Sequence, residues 1–326
     1  MANLKLVHEN REMLSQGIFT PVNKSRKRIS CPVETFELVS VGRQTPHPDK
    51  TGPGEDAFFT TKFCAGVADG VGGWIELNID SGKYSRMFME CARREAEENE
   101  DRDPFSLIRK AFDETDAVGT STVTIVSIDN GRLYASNVGD SGVLVLRIEP
   151  TGIKRILESE PQTHFWNCPK QLGTESHDMP SDADHYDCAV QEGDFVILAT
   201  DGVLDNLFVH EIMELVENGY SSTDTYEQNA AKIAEAIMIK THYTSQNRKC
   251  ETPFSRGSIA HNFEFVGGKL DDITVVVSIV SAVKQQSHVF SSDIFSNLDF
   301  DVNAQSPLTQ HSSSTEGYQS SDSCEF

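Results

Sequence analysis

The segment ILATDGVLDN at residues 197–206 sets an apolar run directly against a carboxylate and a glycine. The run around Val196–Ala199 is far too short to cross a membrane. It reads as a buried strand starting near Asp194. A carboxylate at Asp201 is costly to bury unless it is paired or holds a cation. On its own it reads as a turn or a helix cap. Three other segments repeat the arrangement: Glu55-Asp56 in GPGEDAFF (52–59), Asp69 in VADGVGGW (67–74) and Asp271-Asp272 in GGKLDDITVVV (267–277). Four acidic strand ends, two of them Asp-Gly pairs and read as having no basic residue close in sequence, go beyond ordinary turn chemistry.

Clustered carboxylates suit Mg²⁺ or Mn²⁺, which take about six oxygens from carboxylates and water. Two such ions about 3.5–4 Å apart share a carboxylate and a water, and the water's pKa falls toward neutrality. The glycines after Asp69 and Asp201 permit unusual backbone angles and close approach of the main chain.

The composition is that of a soluble globular chain, with 38% hydrophobic and 24% charged residues among 326. The formal charge of −22 repels nucleic acid and anionic membrane, and it supplies hard oxygen ligands. Its plainest reading is a solvated acidic surface with an acidic tail. The seven cysteines are scattered, odd in number and without a CxxC pair. That excludes a disulfide framework or zinc site and fits a reducing compartment.

Three regions follow from the pattern. Residues 1–34 lack periodicity and carry a basic cluster, Lys24, Arg26, Lys27 and Arg28. They read as an extension, targeting or disordered, although Glu9 and Glu12 interrupt any transit peptide. Residues 35–283 form the folded domain. Residues 284–326, rich in Ser, Gln and Asp, read as a disordered tail that cannot offset its ordering entropy.

Within 35–283 the predicted strands are Phe36–Val41, Asp56–Thr61, Cys64–Ala68, Thr122–Ile128, Leu133–Asn137, Gly142–Ile148, Asp194–Ala199 and Ile273–Val280. Asp129-Asn130-Gly131 marks a hairpin. Predicted helices cover Ser85–Glu98, Pro104–Phe112, Val209–Glu217 and Glu227–His242. In the last, Ala230, Ile233, Ala234 and Ile237 form a stripe expected to pack into the core. Strands and helices come in blocks, so an α+β fold is expected, with a central antiparallel β-sandwich flanked by α-helices.

VADGVGGW (67–74), GTSTVTIV (119–126), NVGDSG (137–142), ATDGVLDN (199–206) and GGKLDDITVVV (267–277), in this order, resemble the PPM (PP2C-like) phosphatase family over residues 36–281. DGVGGW, NVGDSG, LDDIT and THFWNCPKQL (163–172) look like the branch containing a mitochondrial matrix protein phosphatase. The resemblance implies hydrolysis of phosphoserine and phosphothreonine in phosphoprotein substrates by a hydroxide bridging two Mn²⁺ or Mg²⁺ ions. It also implies a mitochondrial matrix location, with cytoplasm as the alternative. A monomer is expected. By motif, Asp69 is similar to the bridging ligand, and Gly70 to the residue whose carbonyl binds the second metal. Asp201 and Asp271 look like the remaining ligands of the first metal. Glu55 is similar to a ligand of the second, and Asp56 to the residue that orients a metal-bound water. Asp140 resembles the aspartate that joins Asp201 at a third, weaker metal site. Asp272, where many members have asparagine, is expected behind the ligands.

Two positions depart from the family pattern. Many members carry His, a general acid, where this chain has Val71. Many also carry a phosphate-binding arginine shortly before the Glu-Asp pair. Here Arg43 and Lys50 are the upstream candidates, and Lys50 lacks the bidentate fork. Other chemistries lack their signatures: no GxSxG elbow, HExxH or P-loop occurs. His164 reads as a packing or solvent-facing residue, and Gly72-Gly73-Trp74 as a tight turn with an aromatic anchor. A catalytically silent scaffold and a phosphatase of small metabolites are the competing functions.

Overall fold

The structure is a computed structural model and describes residues 35–50 and 52–283. The expectations for residues 1–34 and 284–326, including the basic cluster and the Ser-rich tail, lie outside the described residues. The chain opens with β1 (Phe36–Thr45), β2 (Ala57–Thr60) and β3 (Cys64–Ala68). A 3-10 turn over Gly72–Leu77 leads to α1 (Gly82–Glu98) and α2 (Pro104–Glu114). Next come β4 (Thr120–Ser121), β5 (Val123–Asp129), β6 (Arg132–Val138), β7 (Gly142–Glu149) and β8 (Gly152–Glu158). Three short strands follow, β9 (Thr163–Phe165), β10 (Cys168–Pro169) and β11 (Leu172–Gly173), then β12 (Asp184–Ala189). Strand β13 (Phe195–Ala199) runs into α3 (Asp201–Leu204), α4 (Val209–Gly219), α5 (Tyr226–Gln246) and α6 (Pro253–Ala260), and β14 (Ile273–Ala282) ends the series.

Two antiparallel sheets of five strands result, ordered β1-β14-β13-β7-β8 and β12-β6-β5-β3-β2. Period-two side chains sort the core into layers. In β13, Val196 and Leu198 face the other sheet, whereas Phe195 and Ile197 face the helices. In β5, Val126 and Ile128 point between the sheets, and Val123 and Ile125 point toward α1 and α2. The stripe Ala230, Ile233, Ala234 and Ile237 of α5 is fully buried against the β13–β14 side, as its spacing predicts. The layers are helix, sheet, sheet, helix, which is the expected α+β sandwich.

Local signals hold the elements. Pro104 opens α2, and its N-cap Asp103 accepts a hydrogen bond from Ser106 N. Asn130 and Gly131 both take positive φ in the β5–β6 hairpin. Sequence alone does not reveal β4 or the strands from β8 to β12; β4, β9, β10 and β11 are only two or three residues long, and the longer two, β8 and β12, are sheet edges. Each has one solvated flank and polar or half-exposed residues, so neither shows a clean apolar pattern. Cys64, Cys91, Cys168, Cys188 and Cys250 are free thiols, and no helix among the described residues is long and apolar enough to cross a membrane.

Leu198 is fully buried between the sheets. Leu198→Ala is expected to cost about 2–5 kcal/mol, read as a lower urea midpoint with an unchanged slope.

Candidate functional site

Antiparallel pairing explains why distant acidic residues meet. Ala57 pairs with Ala68, so Asp56, just before β2, and Asp69, just after β3, fall at one edge. Ala199 pairs with Gly142 and with Val275, which brings Asp140, Asp201 and Asp271 to the corresponding edge of the second sheet. The sheets are tied there by Thr200, whose hydroxyl donates to Asp56 Oδ2 at 2.9 Å and accepts from Thr274 N at 3.1 Å. Asp69 and Asp201 come close enough for each to alter the other's ionisation.

The two Asp-Gly pairs have a steric cause. A Cβ on Gly70 would lie 2.6 Å from the Glu55 carbonyl oxygen, and one on Gly202 would lie 1.8 Å from the Asp272 carbonyl oxygen. Neither glycine takes a positive φ, so close approach alone requires them, not an unusual backbone angle. Gly70 N donates to Glu55 O at 3.1 Å, and Ser85 Oγ donates to the same carbonyl. Residues of GTSTVTIV clamp the other side. Thr122 N donates to Asp69 O at 2.9 Å, and Val71 N donates to Thr120 O at 3.0 Å. Trp74 Nε1 donates to Thr120 Oγ1 at 2.8 Å, which makes it the anchor the sequence suggests, although its segment winds into a 3-10 turn.

Asp272 is a staple. It accepts from the backbone N–H of His47 and of Glu55, both at 2.6 Å, and from Lys50 Nζ at 2.9 Å. Lys50 Nζ also donates to Glu55 Oε2 at 2.6 Å. Of the two upstream cations, Lys50 therefore reaches the cluster. Arg43 does not: its Nε donates to Glu235 Oε2 of α5 at 3.2 Å, on the outer side of the sheet. The sequence also assigned the strand ends no basic partner, which overlooks Lys269, two residues before Asp271. Its ammonium lies 2.5 Å from Asp201, 2.7 Å from Asp205 and 3.2 Å from Asp271. Asp205 was likewise missed. Its signal is the i, i+4 spacing from Asp201, which puts both on one side of the short α3 turn.

Crowding dominates the electrostatics. Burial, then the charges of Asp201, Asp56 and Asp271, push Asp69 well above the usual carboxylate range. Burial lifts Asp56 to about 8, Asp205 to about 7 and Asp271 to about 6. It lifts Asp140 as well, with Asp201 and Asp205 adding to the effect. Asp201 goes the other way. Burial opposes its charge, but Lys269 and the proton offered by Asp69 hold it below the ordinary value. Asp272 is also lowered, because the N–H groups of Glu55 and His47 and the Lys50 ammonium outweigh its burial. Burial disfavours the charge on Lys50 and Lys269, yet their carboxylate partners keep both above the ordinary lysine value.

Oδ1 of Asp56, of Asp140 and of Asp201 are buried without a hydrogen-bond partner among the described residues. Orphaned carboxylate oxygens in a site short of positive charge fit hard divalent cations. Among the described residues no three acidic, His or Cys side chains yet form a tight ion-holding group. At this edge the Lys269 ammonium stands between the carboxylates instead.

No family model matches the chain. Among curated proteins, "Probable protein phosphatase 2C 26" of Arabidopsis thaliana is 36% identical over 268 residues, covering 76% of this chain and 86% of that one. The chain belongs to the protein phosphatase 2C family. "Protein phosphatase PTC7 homolog fig" of Drosophila ananassae is 34% identical over 255 residues, 71% of this chain and 74% of that one. The chain spans a little over half of the first plant phosphatases 2C it matches, 53% of one and 60% of another. The solved photosystem II phosphatase PBCP shares the fold with a TM-score of 0.67 at 30% identity, over 76% of this chain and 100% of that one.

The raised carboxylates fix a sign for pH dependence in this phosphatase 2C domain. Asp56, Asp205 and Asp271 bind protons on folding between the ordinary value of 3.8 and their folded values of about 8, 7 and 6. Their stabilisation is complete at low pH and fades as pH rises through that window. The melting temperature in EDTA is expected to fall from about pH 5 to pH 8, and saturating Mn²⁺ to remove the fall, because bound cations keep carboxylates ionised. A midpoint that climbs with pH in EDTA contradicts this account.

Proposed function

We propose that residues 35–283 form a metal-dependent protein serine/threonine phosphatase domain, flanked by an N-terminal extension (1–34) and an acidic Ser-rich tail (284–326). One observation carries the reading. Carboxylates from four strand ends share one sandwich edge, with buried oxygens lacking partners and a lysine standing beside them. Family membership supports the same activity.

Asp69, Asp201, Asp271 and Glu55, with the Gly70 carbonyl, would hold two Mn²⁺ or Mg²⁺ ions, Asp69 serving both. When bound, the ions supply positive charge for phosphate oxygens and lower the pKa of water. The rest of the work falls to the chain. Asp56, held by the Thr200 hydroxyl at 2.9 Å, orients the attacking water through its free Oδ1. Lys50, poised by Asp272 at 2.9 Å, binds the substrate phosphate in the role the sequence left open between it and Arg43. Asp272 acts from behind the ligands, as a holder of Lys50 and of the Glu55 backbone. Val71 donates no proton, so the leaving alkoxide takes its proton from water. Phosphoprotein substrates and a monomer follow the family pattern. A mitochondrial matrix location is supported by the branch motifs, and the PTC7 homolog among the relatives agrees with that branch.

The test is turnover of p-nitrophenyl phosphate and of a phosphothreonine peptide by the full chain, with Mn²⁺ or Mg²⁺ and with EDTA. Activity is expected to need the metal. Asp69→Asn and Asp201→Asn are each expected to lose more than about a hundredfold, since loss of a mere outer partner of a metal ligand already costs 10–100-fold. Lys50→Ala is expected to lose about tenfold or more in kcat/KM, the range for a hydrogen bond to a charged group. Activity that survives EDTA would remove the proposal. No cation binding at millimolar metal would favour the silent scaffold, and faster turnover of small phosphorylated metabolites than of the peptide would favour the metabolite reading.

A further inference from the structure

Lys269 is no part of the metal-ligand set that the family motifs name, yet it is the more enclosed of the two site lysines. Its side chain is 17% exposed, against 27% for Lys50. The ammonium meets carboxylates from three segments: Asp201 just after β13, Asp205 at the end of α3 and Asp271 just before β14, at 2.5, 2.7 and 3.2 Å. An ammonium has three N–H donors, so three acceptors saturate it. Asp140 completes the corner from the β6–β7 turn, crowded by Asp201 and Asp205 and relieved in part by Lys269.

The lysine is also framed. Asn206 Oδ1 accepts from Lys269 N at 3.0 Å, and Asn206 Nδ2 donates to Lys269 O at 2.8 Å. The same Nδ2 donates to Gly202 O at 2.8 Å, which ties the lysine to the turn that carries Asp201. The Phe254 ring lies 5.1 Å from Nζ, and Phe254 N donates to Asp205 O at 3.0 Å. A surface lysine pairing opportunistically has no such support, and side-chain entropy would erode the contact.

We propose that Lys269 is a tethered cation that holds the corner formed by Asp140, Asp201, Asp205 and Asp271, so that the edge takes two divalent ions and excludes a third. The inference rests on the two-cation reading above. It replaces the expectation that Asp140 and Asp201 hold a third, weaker ion. Lys269 takes Oδ2 of Asp201 and of Asp271 and leaves Asp201 Oδ1 open toward the two-ion site. A third divalent ion on the Asp140 side would have to sit against the ammonium, and their repulsion at about 3–4 Å is severe in a partly buried site. A charge on the chain's own backbone also arrives at high effective concentration, without the entropy of capturing a free ion.

The experiment is calorimetric titration of the full chain with MnCl₂, with metal content per chain measured after dialysis, for the wild type and Lys269→Met. Two equivalents are expected for the wild type and three for the variant. The third should vanish again in Lys269→Met/Asp140→Asn. In EDTA the variant is expected to melt at lower temperature, and Mn²⁺ to raise its midpoint by more than it raises the wild type's. If Lys269→Met fails to fold, Lys269→Gln keeps hydrogen-bond donors without charge and should also gain the third equivalent. Equal stoichiometry in wild type and variants, whether two or three, overturns the tethered-cation inference and leaves the two-cation reading standing. Absence of Mn²⁺ from every protein overturns both.

Discussion

Glu55, Asp56, Asp69, Asp140, Asp201, Asp205, Asp271 and Asp272 form a continuous band of carboxylates along one sandwich edge, and Lys50 and Lys269 are the ammonium groups that touch it among the described residues. Like charges at this density cannot all ionise, and burial sharpens the conflict. The fold relieves it in three ways. Burial and its acidic neighbours push Asp69 toward its neutral form, the lysines neutralise the two ends of the band, and backbone N–H groups of His47 and Glu55 stabilise Asp272. What remains is a demand for positive charge that no neutral ligand meets. The proposed divalent ions answer that demand.

Rigidity comes from the sandwich rather than from the acidic residues. Every carboxylate in the band except Asp205, which follows α3, sits within two residues of a strand terminus, so strand register sets its position. Hydroxyls and glycines then refine the geometry. Thr200 links one sheet to Asp56 on the other, Thr122 and Thr120 hold the Asp69-Gly70 segment, and Gly70 and Gly202 allow contacts that any side chain would block. Asp272 joins this frame to the loop that carries Lys50, so the phosphate-binding candidate is held against the acidic edge.

Much of this was legible in the sequence because the core strands are apolar, short and ended by acidic or glycine residues. The eight predicted strands and four predicted helices all occur, with ends displaced by a few residues. Edge strands β8 and β12 were not legible, because a strand solvated on one flank carries charged residues that mask alternation. At the site, the acidic strand ends identified themselves by their setting. Their partners did not. Lys269 and Asp205 become meaningful only when α3 and the 267–272 segment come together, and Thr200 reads as an ordinary strand residue until its hydroxyl is seen bridging the sheets. Arg43 illustrates the reverse error: proximity in sequence to Glu55 suggested a role that strand direction denies, since its side chain leaves on the face covered by α5.

Among the described strands β14 is the last to be synthesised, yet it lies inside its sheet, between β1 and β13, with β1 bound to it along all ten residues. Residues near 36 must therefore wait for residues near 282 before their ladder hydrogen bonds can form. Until then the nascent polypeptide lacks both the sheet's interior and the acidic pair at 271–272. Synthesis interrupted anywhere earlier yields a fragment in which β1 has no strand partner and the carboxylate band is short of two members.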